Sequence, residues 1–160
     1  MLRVGILTAS TLGARGERED TSGTAIRELI APIGGTVEAY QIVADDRAAI
    51  EDVLRRWSDE LRLDLILTTG GTGLSPTDVT PEATREVIER EVPGIAEAMR
   101  SEGMRHTRRA MLSRAVAGVR GQTLIINLPG SPQGVRESLG AIIEVLPHAI
   151  EILQHRPTDH

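Results

Sequence analysis

Leu65-Ile66-Leu67-Thr68-Thr69-Gly70-Gly71-Thr72-Gly73-Leu74-Ser75-Pro76-Thr77-Asp78-Val79-Thr80-Pro81-Glu82 carries the fold in miniature. Its first five residues are a short apolar run of the kind found in strands buried on both faces. Glycines and hydroxyls follow, and then Thr80-Pro81-Glu82 reads as a helix start. It supplies a hydroxyl cap, a proline at the first helical position and an acid in the first turn. Residues 2–8 and 123–128 repeat the apolar run, and the alternating residues 36–43 are a fourth candidate strand. Helical stripes lie between them. Ile50, Val53, Leu54, Trp57 and Leu61 share one face, and Val135, Leu139, Ile142, Ile143 and Leu146 another. Pro93-Gly94 interrupts the helix that opens at Thr80, and residues 115–120 are a possible extra strand. The segment 9–22 reads as a long loop, and the tail beyond Gln154 as frayed. Strands alternating with helices predict βαβ units, hence an α/β fold: a three-layer α/β/α sandwich with a mainly parallel sheet.

Composition narrows the chemistry. Of 160 residues, all 18 basic ones are arginine, and lysine, cysteine and phenylalanine are absent. No thiolate nucleophile, zinc–thiolate centre or Schiff-base lysine is available. The net charge of −5 argues against a nucleic-acid partner, which needs a basic face. Length fits one domain over residues 1–160, since domains cluster near roughly 100–150 residues. The first residues lack a basic leader with an apolar core, and no apolar stretch approaches the ~20 residues that span a bilayer. A cytoplasmic protein with no membrane contact is the expectation.

In open α/β sheets, ligands bind beyond the carboxyl ends of the strands. Four segments should gather there: Thr8-Ala9-Ser10-Thr11, Val43-Ala44-Asp45-Asp46, the 70–81 loop, and Asn127-Leu128-Pro129-Gly130-Ser131-Pro132. Gly70, Gly71 and Gly73 let backbone amides close on an anion, and Thr69, Thr72, Ser75, Thr77 and Thr80 add hydroxyls. The helix after them points its positive end the same way, and Gly130 and Ser131 offer a second such loop. Neither loop is a Walker motif, because the GK[ST] ending is missing, and neither is a dinucleotide fingerprint. Asp45 and Asp78 lie in these loops. They either share a Mg²⁺ ion with bound phosphates or accept from heterocycle N–H groups, with turn and cap roles as the structural alternative. Asp46 reads as the cap of the helix after it. Arg114 is the arginine best placed to grip phosphate. Ser10 and Ser113 have no His–Asp partners nearby, so no nucleophile is assigned. His106, His148, His155 and His160 suggest no catalytic role.

Five pieces together resemble the MoaB/MogA family, the molybdopterin-binding proteins of molybdenum and tungsten cofactor biosynthesis. They are Leu67 to Gly73, Asp78-Val79-Thr80-Pro81-Glu82-Ala83-Thr84, Pro93-Gly94-Ile95-Ala96-Glu97, Leu112-Ser113-Arg114 and Leu128-Pro129-Gly130-Ser131-Pro132, in the family's order. The resemblance implies a molybdopterin-binding-domain fold assembled as a homotrimer or homohexamer. It also implies a reaction in which molybdopterin and Mg-ATP give adenylylated molybdopterin and pyrophosphate, with Mg²⁺ as cofactor. Asp45 and Asp78 match the family's two functional aspartates, and the same pair are the expected Mg²⁺ ligands. Gly70 to Gly73 with Ser75 match its nucleotide and pterin loop, and Pro129 to Ser131 its second loop. Two departures stand out. Ser10-Thr11-Leu12 replaces a Ser-Asp followed by Arg or Lys, and Ala44 replaces a proline before Asp45. A carrier of the same family that binds molybdopterin without transferring the adenylyl group is the alternative.

Overall fold

The structure is a computed structural model that describes residues 1–155; the expected fraying from residue 156 on, and His160, lie outside the described residues. The chain opens with β1 (Leu2–Ala9), α1 (Thr11–Ala14), α2 (Thr21–Ile30) and β2 (Gly35–Val43). It continues through α3 (Arg47–Asp59), β3 (Leu65–Thr69), α4 (Thr80–Val87), β4 (Arg90–Glu91) and α5 (Pro93–Met104). It closes with β5 (Ala117–Arg120), β6 (Thr123–Leu128), α6 (Pro132–Ile142) and α7 (Leu146–Leu153).

The six strands form one sheet in the order β2-β1-β3-β6-β5-β4. The first four run parallel, and β5 and β4 extend the sheet through antiparallel pairings. Strand alternation divides the core into two layers. Val4, Ile6, Leu65, Leu67, Leu124 and Ile126 face α2, α5, α6 and α7. Leu7, Ile66 and Ile125 face α3 and α4, where Trp57 is packed. The predicted three-layer α/β/α architecture is therefore the observed one.

Three local expectations need correction. Residues 9–22 are a loop only over 15–20: Ser10 caps α1 by accepting from the Gly13 amide at 3.0 Å, and Asp20 caps α2 through Gly23 at 2.9 Å. Short helices this rich in Gly and Ser show little apolar periodicity, and their caps sit within the run itself. The helix that opens at Thr80 ends at Val87, and the two-residue β4 intervenes before Pro93 starts α5. Thr80 is not the cap. Val79 takes the N-cap position with no side-chain bond, while the Thr80 side chain is buried inside. Other signals match the structure. Asp46 caps α3 by accepting from Ala49 at 3.2 Å, and Pro147 lies in the first turn of α7.

Asn127, on β6, ties the layers together. Its Oδ1 accepts from the Val116 amide at 3.1 Å, and its Nδ2 donates to the hydroxyls of Thr68 (3.0 Å) and Thr84 (2.9 Å). All of this is fully buried. Asn127→Ala strands an amide and two hydroxyls, so unfolding stability is expected to fall by about 2–3 kcal/mol, read by urea denaturation.

Candidate functional site

The parallel strands end level. The β1–β2 pairing finishes at Ala9 and Val43, and the β3–β6 pairing at Thr69 and Leu128. From β1 the sheet grows one way to β2 and the other way to β3, so the topological switch point lies between β1 and β3, where this architecture places ligands. A cavity of about 520 Å³ opens at that edge. It brings together Ser10, Asp45, Thr69, Gly70, Gly71 and Asp78, with Gly130 and Ser131 on a further wall.

The glycines explain its shape. Gly70 has φ +92° and Gly71 φ +70°, in the region that L side chains avoid. A Cβ on Gly70 would lie 2.4 Å from the Ala9 carbonyl oxygen, and one on Gly71 2.4 Å from the Thr80 hydroxyl. The chain can turn this tightly off β3 only with both side chains missing. The Gly70 amide donates to Leu128 O at 3.2 Å, and the Thr69 hydroxyl donates to Pro129 O at 2.5 Å. These bonds zip the β3 loop to the β6 loop. They also use the Thr69 proton that the sequence reading offers to a ligand.

The two aspartates are held alike. Asp45 Oδ2 accepts from the Thr11 amide (3.2 Å) and hydroxyl (3.1 Å), and the Thr11 hydroxyl accepts in turn from the Asp45 amide at 3.2 Å. Thr11, one of the departures from the family pattern, thus fixes Asp45. Asp78 Oδ2 accepts from the Ser75 amide at 3.1 Å, closing a turn in which the Asp78 amide donates to Ser75 O at 2.9 Å. In each carboxylate Oδ1 has no protein donor among the described residues. A free, hard oxygen on each of two carboxylates suits a cation that keeps its water and phosphate ligands. No group of three or more potential metal ligands assembles among the described residues.

Not every predicted residue reaches this cavity. Ser75 lies outside it, shaping the Asp78 turn and sharing a hydrogen bond with Thr77 at 3.1 Å. Thr80 sits under Gly71, buried, with no partner for its hydroxyl among the described residues. Thr72, Gly73 and Pro129 line a neighbouring, more apolar cavity of about 270 Å³, and Ser131 borders both. Ser131 also caps α6 by accepting from the Gly134 amide at 3.0 Å.

Arg114 has another task than phosphate binding. Its guanidinium donates to Gly73 O (2.8 Å), Asp78 O (2.8 Å) and Glu82 Oε2 (2.5 Å), and its amide donates to Thr72 O (2.9 Å). It braces both ends of the glycine loop and so positions Asp78, and it does not line the cavity. The Arg114 guanidinium holds the Glu82 carboxyl below its ordinary range, against the opposing effect of desolvation. A depressed carboxylate stabilises the fold above its unfolded pKa and loses that contribution as pH falls through the lower folded value. The brace is therefore intact at neutral pH and weakens only in acid. Glu82→Gln is expected to flatten that part of the acid-unfolding curve, by less than about 1 kcal/mol for so exposed a pair.

Sequence reasoning missed the Asp20 cluster, which also lines the cavity. Asp20 Oδ2 accepts from the Thr8 hydroxyl at 2.7 Å and from the Tyr40 hydroxyl. Burial and the adjacent Asp20 carboxylate push the Tyr40 phenol up to about 12, so it stays a donor. Two residues on, the Ser22 hydroxyl donates to Gly130 O at 2.6 Å and ties α2 to the β6 loop. The signal was the Asp-x-Ser-Gly order at a helix start, hidden inside a stretch read as loop.

With this geometry in view, likeness to known proteins settles kinship. The family model described as "Probable molybdopterin binding domain" matches residues 5–148. The chain belongs to the MoaB/MogA family. It is 41% identical over 154 residues to a molybdopterin adenylyltransferase of Helicobacter pylori strain J99, covering 95% of this chain and 88% of that one. It is 38% identical over 143 residues to the molybdopterin adenylyltransferase of Escherichia coli K12, covering 88% and 73%. The crystal structure of the molybdopterin biosynthesis enzyme MoaB from Thermus thermophilus matches with a TM-score of 0.93 at 60% identity, over 98% of this chain and 99% of that one. The MoaB/MogA fold thus extends over nearly the whole chain. No helix among its described residues is long and apolar enough to cross a membrane.

Proposed function

We propose that this MoaB/MogA protein binds molybdopterin and adenylylates it with Mg-ATP in molybdenum cofactor biosynthesis. The observation that carries the reading is the pair Asp45 and Asp78. Each is fixed through one carboxylate oxygen and offers the other, beside consecutive left-handed glycines at the switch point. The names of the relatives support the same chemistry.

In this reaction a phosphate oxygen of molybdopterin bonds to the α-phosphorus of ATP, and the bond from that phosphorus to the α–β bridging oxygen breaks. Pyrophosphate leaves with the bonding electrons. Phosphoryl-type transfer depends on positioning and charge stabilisation more than on covalent help from the protein, so a site without lysine, cysteine or an activated serine suffices. Mg²⁺, when bound by Asp45 and Asp78, would supply charge neutralisation on the phosphates. The chain's own part is to hold these carboxylates still through Thr11, Ser75 and Arg114, and to present the amides of the glycine turn that follow Gly70, whose own amide is bonded to Leu128 O. The reading takes residues 1–160 as one unit, in a homotrimer or homohexamer in the cytoplasm.

The test is incubation with molybdopterin, ATP and Mg²⁺, following pyrophosphate release and adenylylated product together. Matching amounts of both support the transferase. Molybdopterin binding with no product would overturn it and leave a carrier. Analytical ultracentrifugation of the same sample reads the assembly.

A further inference from the structure

The charge lining the switch-point cavity is at odds with the cargo proposed for it. Glu19, Asp20, Asp45 and Asp78 all line it, while Arg18 is the only basic side chain among its described lining residues. Both substrates under that reading are phosphates. A Mg²⁺ ion held by Asp45 and Asp78 would offset part of the mismatch. Asp20 is tied up by Thr8, Tyr40 and the start of α2. Arg114, the arginine that the sequence favours for phosphate, spends its guanidinium on two carbonyls and Glu82.

Arg18 has no hydrogen bond or ion pair to the rest of the protein among the described residues, so its fork of donors is available. Its placement is nevertheless defined. It stands between two capped helices, four residues beyond the end of α1 and three before the start of α2. On the α1 side the Glu17 amide donates to Leu12 O at 2.8 Å and the Gly16 amide to Gly13 O at 3.0 Å, through a left-handed Gly16 (φ +75°). On the other side Asp20 pins the backbone to β1 and β2. A six-residue span fixed at both ends places Arg18 at the wall of the cavity. The same region carries the chain's departure from the family pattern, with Leu12 where Arg or Lys is usual.

We propose that Arg18 is the phosphate-gripping residue of this cavity, contacting a phosphate group of ATP or of molybdopterin by charge-assisted hydrogen bonds. Arginine suits the task because its planar fork binds phosphate in a bidentate manner. The proposal rests on the proposed function for its phosphate substrates, and binding of magnesium pyrophosphate tests the anion contact apart from turnover.

Steady-state kinetics of Arg18→Ala and Arg18→Lys, with Arg15→Ala as a charge-matched control outside the cavity lining, provide the test. Arg18→Ala is expected to raise the apparent KM for one substrate about tenfold or more with kcat within about twofold, consistent with loss of a charged hydrogen bond. Arg18→Lys should recover part of the loss, and Arg15→Ala should resemble wild type. A rise for ATP assigns the contact to the nucleotide, and a rise for molybdopterin assigns it to the pterin phosphate. Unchanged KM for both substrates, or equal losses in the Arg15 and Arg18 variants, would overturn the proposal. Calorimetric titration with magnesium pyrophosphate separates it from the reading beneath it. If wild type makes no adenylylated product yet binds pyrophosphate about tenfold more tightly than Arg18→Ala, the transferase fails and Arg18 stands. If the two proteins bind pyrophosphate equally and the KM values also agree, Arg18 fails whatever the reaction.

Discussion

Asp78→Asn is expected to lower kcat for adenylyl transfer by about 10³, and Asp45→Asn by about 10², with the fold intact. Asparagine keeps the shape of each side chain. Its amide oxygen can still accept from Ser75 at position 78 and from Thr11 at position 45, so the loops should hold. What disappears is one negative charge at the place where a hard cation would sit, together with its free carboxylate oxygen. Asp78 has the larger expected effect because its turn is braced on both sides, by Ser75 and by Arg114 to its carbonyl, so little rearrangement can compensate. Chromatography of the product with thermal melts of each variant checks both halves. Wild-type rates in both variants would show that the site has been assigned to the wrong residues.

Gly70→Ala is expected to impair both stability and activity. The residue must adopt φ +92°, which costs an alanine roughly 1–2 kcal/mol. Its new methyl would also meet the Ala9 carbonyl oxygen at 2.4 Å, and that oxygen is main chain, with no rotamer to move. Retreat is opposed by the Gly70 amide bond to Leu128. The sum is about 3 kcal/mol, or a Tm lower by roughly 10 °C for a domain of this size. Pushing β1 and β3 apart at the switch point shifts Ser10 and Gly71 together, and misplacement of about 1 Å is enough for a loss on the order of 10² in kcat. Gly71→Ala should be milder, because the atom in its way belongs to the Thr80 side chain. Equal behaviour of the two variants in melting and turnover would refute this ranking.

The sheet was readable because its central strands are buried on both faces: runs such as Leu65-Ile66-Leu67 leave no polar side for solvent, and only a covered parallel sheet accepts them. The cavity's location followed from those strands, and Asp45, Gly70, Gly71 and Asp78 followed from the loops after them. Arg114 was misread because a guanidinium that binds phosphate and one that binds backbone carbonyls look identical in sequence. Its partners, Gly73 and Asp78, are 41 and 36 positions away. Thr80 looked like a cap because hydroxyl-Pro-Glu is the usual pattern, yet packing under Gly71 took the side chain inside. Asp20 and Arg18 went unnoticed because helices as short as α1 have no periodicity to detect.

The zipping of the cavity walls bears on the order in which this protein is made. Ser22 reaches Gly130 across 108 positions, and Thr69 reaches Pro129 across 60. Contacts so distant in sequence close late, after the intervening chain has collapsed. A ribosome that has delivered β1 to β3 has therefore not yet closed the pocket, and the last third of the chain must arrive before its Gly130–Ser131 wall exists. Whatever fills the pocket selects finished molecules over precursors, and at a hundred times its Kd it would deepen the native state by about 2.7 kcal/mol. Supply of the small molecule would then govern how long the protein survives as well as how fast it works.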